Sequence, residues 1–467
     1  MNAIWLRLAC ALLCVPFTTP AFAEAIVLGP ETLQSRVVTV YQGDLALVHE
    51  RHRVPLGPGA ATLELAPVPE GLMPETARLS GEGVRVGGLR LETAVVSEQA
   101  LLRAFLGRTI GLVRVKPQTG ARTVVQARVL SVEDGVVLQV GDKVETGAAG
   151  PFQFDAVPPG MGPAAALSAD VMVGADAPGD LAVQYLTTGL GWRADYSVTL
   201  SADETMLALD GYVTLESSAS VPYPADLVRA VAGDLNRVSA ARPGAVRALA
   251  MEAAADTAPV SEQAGAYHLY TLPGATTVPA RGAVQRALLG LPQLAVRKAY
   301  VLEGAAPVRP VRGMTPVRRQ AASVVLRFKN PRAEDGGIPL PAGIVRVFGP
   351  GVGGPVFLGE DRMGHMPVGA GVRLTLGAAF DVTAERRQAD YEKGSSERVY
   401  EVAHEIVLRN ARPATAVVEV IETLPGDWEI LAESAPHART SASTAAWSLS
   451  VPARGETVLQ YRALIRQ

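Results

Sequence analysis

The stretch FLGEDRMGHMP, residues 357–367, gathers Glu360, Asp361, Arg362 and His365 between glycines, the densest polar cluster of the chain. Two carboxylates with an imidazole nearby have the chemistry of a general acid and base, or of oxygen ligands for a hard cation. Flanking glycines read as a turn, and neighbouring carboxylates in an extended segment point to opposite sides. Glu360, Asp361 and His365 are therefore the candidate catalytic set of a hydrolase, and the idea depends on whether their side chains converge.

Two other groupings offer less. His49 and His52 form H-x-x-H, but a separation of three on a strand puts them on opposite faces, so they are not expected to share a metal. In YLTTGLGWRADYSVTL, residues 185–200, the pair Arg193/Asp195 follows Gly189 and Gly191 as a binding loop would. The period argues for a strand instead. Trp192, Ala194, Tyr196, Val198 and Leu200 share one face, directed inward, while Arg193, Asp195, Ser197 and Thr199 share the other. On that reading the two glycines are turn residues and Arg193/Asp195 is an exposed pair worth no more than about 1 kcal/mol. The chain contains no P-loop, no G-x-S-x-G elbow and no H-E-x-x-H. No cofactor and no metal site is expected.

The elements that would hold these residues are nearly all strands. SRVVTVYQGDLALVHERHRVPL pairs two apolar runs about a Gln42–Asp44 turn. SEQALLRAFLG is the one persuasive helix, capped by Ser97, with Leu101/Phe105 and Leu102/Leu106 as i,i+4 pairs and Gly107 as its stop. Brief strands between Arg108 and Val144 have the length and turn spacing of a small SH3-like barrel. Further on, LDGYVTLESSASVPYPADLVRAVAG, SVVLRFKNPRAEDGGIPLPAGIVRVF and YEVAHEIVLRNARPATAVVEVIETLPGDWEI each carry a strand into a Ser or Asn turn and out into a second valine-rich strand. Such units without helices point to immunoglobulin-like sandwiches. In the last strand Leu459, Tyr461, Ala463 and Ile465 face inward.

The expected fold is thus mostly β, with several β domains: 24–96, then the short helix and small barrel at 97–149, a central sandwich region at 150–380, and an immunoglobulin-like sandwich at 381–467. Two stretches break the pattern. Residues 241–265 are Ala-rich without a clear period and read as a mobile insertion, and the basic, proline-punctuated 306–320 reads as a solvated loop.

Residues 1–23 have the form of a cleaved export signal: one early charge at Arg7, an apolar run of about ten residues, and Ala21-Phe22-Ala23. Nothing later is long enough to span a bilayer as a helix. The expected location is periplasmic or secreted. Cys10 and Cys14, the only cysteines, lie in this leader, so a mature chain would have neither disulfide nor thiol chemistry. Losing Arg7 takes the formal charge from −3 to −4 (−3 − 1), with both signs interspersed, and aromatics make up 5 per cent. A nucleic-acid partner would need a basic face with stacking rings and is excluded on that ground. The charge leaves oligomeric state open.

Several blocks together, YLTTGLGWRADYSVTL, GYVTLESSAS with AVAGDLNRV, YHLYTLPGATTVP, IPLPAGIVRVF, FLGEDRMGHMPVGAGVRLTLGAAFDV and LPGDWEI, resemble in order the bacterial family catalogued as domain of unknown function 4139. The resemblance implies an exported, mostly β protein and carries over no catalytic or binding residue. Three functions are consistent with the sequence. The first is a non-enzymatic envelope or secreted protein that meets an envelope partner through its surface. The second is a carbohydrate-binding module, which would need Trp428 or Trp447 exposed, since Trp192 is patterned inward. The third is the hydrolase built on Glu360, Asp361 and His365.

Overall fold

The structure, a computed structural model, describes residues 25–116, 118–133, 135–147, 151–158, 161–233, 260–264, 267–304, 311, 313–394, 396 and 398–467. The leader 1–23 with its two cysteines, and most of the Ala-rich insertion, lie outside the described residues. The chain is mostly β, and its one described α-helix is Glu98–Ala104. No described helix is long and apolar enough to cross a membrane. Two compact units divide it, one of residues 1–36 and 49–186, the other of 37–48 and 187–467. That division differs from the boundary expected at 149/150.

In the first unit, Ile26–Leu28, Gly59–Leu65, Ala166–Val173 and Val84–Glu92 form a four-stranded sheet in that order. A second, antiparallel sheet runs Lys143–Thr146, Val137–Val140, Arg122–Ser131, Thr109–Val115 and Phe152–Gln153. The helix packs on that sheet: Leu102 and Phe105 join Ile110, Leu112, Ala127, Val129 and Leu138 in one core. Its start is the expected one, because the Ala100 amide donates to the Ser97 Oγ at 3.1 Å, and Gly107 beyond its end has φ +77°. The pair Leu102/Leu106 does not form a buried stripe. The helix stops at Ala104, so Leu106 lies past the last turn and is 53 % exposed.

The second unit is built from strands labelled here in chain order. β1 is Leu33–Tyr41 and β2 is Leu45–Arg53, whose tip belongs to this unit and turns at Gly43 (φ +89°) and Asp44 (φ +50°). β3 is Leu190–Leu200, β4 Met206–Ser217, β5 Leu227–Ala232, β6 Tyr267–Leu272 and β7 Gly282–Ala295. β8 is Arg297–Glu303, β9 Arg318–Lys329, β10 Gly343–Gly349, β11 Val356–Met363 and β12 Gly371–Lys393. β13 is Val399–Asn410, β14 Ala416–Thr423, β15 Asp427–Glu433, β16 Ala438–Ser441, β17 Thr444–Val451 and β18 Gly455–Arg466.

The three pattern-alike segments share one topology. After its polar turn, each returning strand pairs in parallel with an earlier strand and antiparallel with a later one: β5 with β1 and β6, β10 with β3 and β11, β14 with β8 and β17. The turns use side chains as internal braces. Buried Asn330 donates its Nδ2 to the carbonyls of Ile338 (2.9 Å) and Pro367 (3.1 Å). Buried Asn410 donates to those of Ala414, Val451 and Pro452 at 2.8, 3.2 and 3.0 Å, and its Oδ1 accepts the Arg412 amide. At the first turn the Ser217 Oγ accepts the Ala219 amide at 3.2 Å.

A nine-stranded sheet in the order β15-β18-β13-β12-β9-β8-β14-β17-β16 encloses the C-terminal core. Val402, Ile406, Leu408, Leu459, Tyr461, Ala463 and Ile465 from one part of that order meet Val418, Val420, Trp447 and Val451 from the other, so the sheet folds over on itself. The expected inward set Leu459, Tyr461, Ala463 and Ile465 is fully formed.

Three expectations need correction. Residues 260–264, assigned to the mobile insertion, form a strand paired with β6. The end of the basic loop is also strand, since Arg318–Gln320 open β9, and the Thr315 amide donates to the Gln388 carbonyl at 3.0 Å. The boundary at 380/381 falls inside β12.

Candidate functional site

β3 carries the GWRAD residues within a five-stranded sheet in the order β7-β4-β3-β10-β11. Trp192, Ala194, Tyr196, Val198 and Leu200 are all buried, as the period requires. The Trp192 Nε1 donates to the Val231 carbonyl at 3.0 Å, and the Tyr196 hydroxyl donates to that of Pro341 at 2.8 Å. Gly189 is a turn residue with φ +86°, but Gly191 belongs to the strand. A Cβ there would stand 3.3 Å from the Asp44 amide, so the glycine admits the β1–β2 turn.

Asp195 departs from expectation. It is only 5 % exposed, although it lies on the polar face. Its Oδ2 accepts from the Thr214 Oγ1 (2.7 Å) and the Arg193 Nε (3.0 Å), and its Oδ1 accepts from the Arg346 Nη1 (3.0 Å). The stems of Arg193, two residues away on the same strand, and of Arg346 on the neighbouring β10 cover it, which period alone does not reveal. Burial pushes its pKa up, but the hydrogen bonds from Thr214 and Arg346 and the charges of both arginines outweigh that and hold it below the usual range.

Glu360 joins the same row. Its Oε2 lies 3.3 Å from the Arg346 Nε, Arg193 also pairs with Glu216, and the Gln285 Nε2 donates to the Thr214 Oγ1 at 3.3 Å. One polar row therefore crosses all five strands: Gln285, Thr214 with Glu216, Arg193 with Asp195, Arg346, and Glu360. Its carboxylates are committed to arginines and its central acid is ionised, so it clamps strands together and holds no free base.

The other two candidates point elsewhere. Residues 356–363 are strand β11, not a turn, and Asp361 faces opposite to Glu360. Its Oδ2 accepts the Thr375 amide at 2.7 Å and its Oδ1 the Arg362 amide at 2.8 Å. His365 lies beyond the strand end, exposed, with its Nδ1 accepting the Ala342 amide at 3.2 Å. Gly359, read as a turn glycine, sits at φ +146° beside a break in the β10–β11 register, where a Cβ would run into the Leu376 carbonyl. The three side chains share no pocket floor.

Two buried constellations escaped the sequence reading. On β2, His52 and Glu50 face inward together, two residues apart, while His49 is on the other side. The Glu50 Oε2 lies 3.1 Å from the His52 Nε2 and its Oε1 2.6 Å from the Arg36 Nε, and the Thr32 Oγ1 meets the His52 Nδ1 at 2.9 Å. That hydroxyl also bonds the Gly29 amide and carbonyl, so it braces a turn and is not a free nucleophile. The signal was the same-face E-x-H spacing. In the C-terminal core, Arg386 pairs with Glu422, the Tyr461 hydroxyl donates to Glu422 at 3.2 Å, and the His404 ring lies 5.3 Å from that of Tyr461. Burial, with help from the Arg386 charge, lowers the His404 pKa to about 4, and its Nδ1 has no hydrogen-bond partner. Its place on the apolar face of β13 was legible, but its neighbours were not.

Trp192, Trp428 and Trp447 are 4, 4 and 1 % exposed, so no described tryptophan offers a face to a sugar ring. Among the described residues no group of three His, Cys, Asp or Glu is placed to hold a metal ion. Comparison with family models and with curated proteins finds no match to this chain.

Proposed function

We propose that the chain is a non-enzymatic, exported protein of the bacterial cell envelope, whose β domains present surfaces to a partner protein. The observation that carries this reading is the commitment of the candidate catalytic groups: Glu360 to Arg346, Asp361 to the Thr375 amide and His365 to the Ala342 amide, on diverging vectors. A hydrolytic site needs an acid and a base on one reacting atom. Export rests on the form of residues 1–23, and membership of the family catalogued as domain of unknown function 4139 rests on the ordered blocks quoted above.

Mild crosslinking of tagged protein in living cells, followed by capture from the envelope fraction, tests the reading. The expected result is a reproducible heterologous partner that is lost without crosslinker. A protein recovered alone would count against it, as would hydrolysis of an ester, glycoside or peptide panel that Glu360→Gln or His365→Ala abolishes. A carbohydrate-binding role would require a platform made from side chains other than tryptophan.

A further inference from the structure

Half-buried arginines elsewhere in the second unit are engaged within the fold: Arg346 on Asp195, Arg462 on Asp390 and Arg286 on the Pro273 carbonyl. Arg229 is not. It stands mid-strand in β5, half-buried, and makes neither hydrogen bond nor ion pair among the described residues. Its Nε is buried without an acceptor. A buried donor left unpaired lowers stability, and a cation drawn partly out of water lowers it further unless an anion faces it.

The strand register fixes what else stands there. Arg229 is directly opposite Thr39 of β1 on one side and Thr271 of β6 on the other, so one row across three strands presents a guanidinium between two hydroxyls. Register partners hold their Cβ atoms about 5 Å apart. Neither hydroxyl has a hydrogen-bond partner among the described residues. The rows on either side are apolar, with Leu227 beside Val37 and Val231 between Tyr41 and Leu269. Val38, Val228, Ala230 and Tyr270 turn to the core, which leaves the Arg229 row on the opposite face of the sheet.

A guanidinium and two hydroxyls in an apolar frame have the chemistry of an anion site. The charge decides between anions. A phosphate dianion would leave one negative charge uncompensated among apolar side chains, whereas a carboxylate is neutralised by a single arginine and its planar pair of oxygens matches the guanidinium. The apolar rows flanking Arg229 suit hydrocarbon next to that carboxylate. We propose that Arg229, with Thr39 and Thr271 beside it, binds the carboxylate of a small organic acid with an apolar body. The site goes beyond the envelope reading and does not depend on it.

Thermal melts and titration calorimetry of the purified full chain with benzoate test it, with inorganic phosphate and uncharged benzamide as controls. Benzoate is expected to raise the melting temperature progressively with concentration, as a ligand of the folded state must, and the two controls are not. Arg229→Met keeps an unbranched stem and removes the charge. It should weaken benzoate binding by about tenfold or more, yet melt no lower than the wild type without ligand, since it removes an unpaired donor. Arg229→Lys keeps the charge but not the planar fork and should bind benzoate less tightly than the wild type. Thr39→Val with Thr271→Val should weaken binding by a smaller factor than Arg229→Met. Absence of a benzoate shift, or a shift that survives Arg229→Met, would overturn the inference, as would a preference for phosphate at Arg229. A ligand-free Arg229→Met protein that melts below the wild type would show the arginine already engaged in the fold and would sink it as well. Capture of an envelope partner is a separate readout, so failure here leaves the proposed function standing.

Discussion

Replacing Asp195 by alanine separates an exposed ion pair from a buried clamp. If the side chain were merely one partner of a surface pair, its loss would cost well under 1 kcal/mol. The structure gives three contributions. Thr214, itself 5 % exposed, loses a 2.7 Å bond to a charged acceptor but keeps Gln285, a loss of about 1 to 1.5 kcal/mol. The side chains of Arg193 and Arg346 are 47 and 40 % exposed, so each pairing is screened and worth about 0.5 to 1 kcal/mol. Together these predict about 2 to 3.5 kcal/mol, against less than about 1 for Arg193→Ala, which leaves Asp195 with Thr214 and Arg346. Urea midpoints at unchanged m-value measure both, and a cycle with Thr214→Val should return a coupling of about 1 kcal/mol. An Asp195→Ala cost below about 0.5 kcal/mol, or one equal to that of Arg193→Ala, would refute the clamp.

Trp192→Ala removes a ring that is 4 % exposed and a 3.0 Å bond to the Val231 carbonyl, and should cost about 3 to 5 kcal/mol by chemical denaturation. Asn410→Ala strands three turn carbonyls and should cost about 2 to 3 kcal/mol; Asn410→Asp should not rescue it, because a carboxylate cannot donate, and thermal melts of the two variants make the comparison. His404 has a folded-state pKa of about 4 against roughly 6.5 unfolded, so the unfolded chain binds the extra proton first. Its contribution is complete above about pH 6.5 and falls away toward pH 4, by about 3 kcal/mol in all, so His404→Phe should flatten the acid side of a stability-against-pH curve, and an unchanged slope would count against a buried neutral imidazole.

Faces were legible in the sequence, and what covers them was not. Period two placed Trp192, Tyr196 and Leu459 inward because alternation is a property of the strand itself. Asp195 obeys the same alternation, yet it is buried by Arg193 and Arg346, and Arg346 comes from a strand about 150 residues on. No local pattern holds that information. The polar turns after β4, β9 and β13 could be seen to resemble one another because Ser217, Asn330 and Asn410 stand at the strand ends, while the bonds of Asn330 to Pro367 and of Asn410 to Val451 and Pro452 reach distant segments. That the returning strands then pair in parallel with β1, β8 and β3 is a long-range outcome.

The failures cluster where pairing slips. Gly359, expected in a turn, and Phe380 both lie at breaks in register, β10 against β11 and β9 against β12. An extra residue in one strand shifts every later side chain to the other face, so an apolar residue that alternation assigns to the core can emerge into water. Phe380 is such a residue, and neither its type nor its spacing from Ala378 and Val382 marks it as exposed. The charged clusters, where chemistry was first sought, satisfy themselves within the sheet. At the irregular points of the same strands apolar side chains emerge instead, Phe380 at the β9–β12 break and Phe357 at the β10–β11 break.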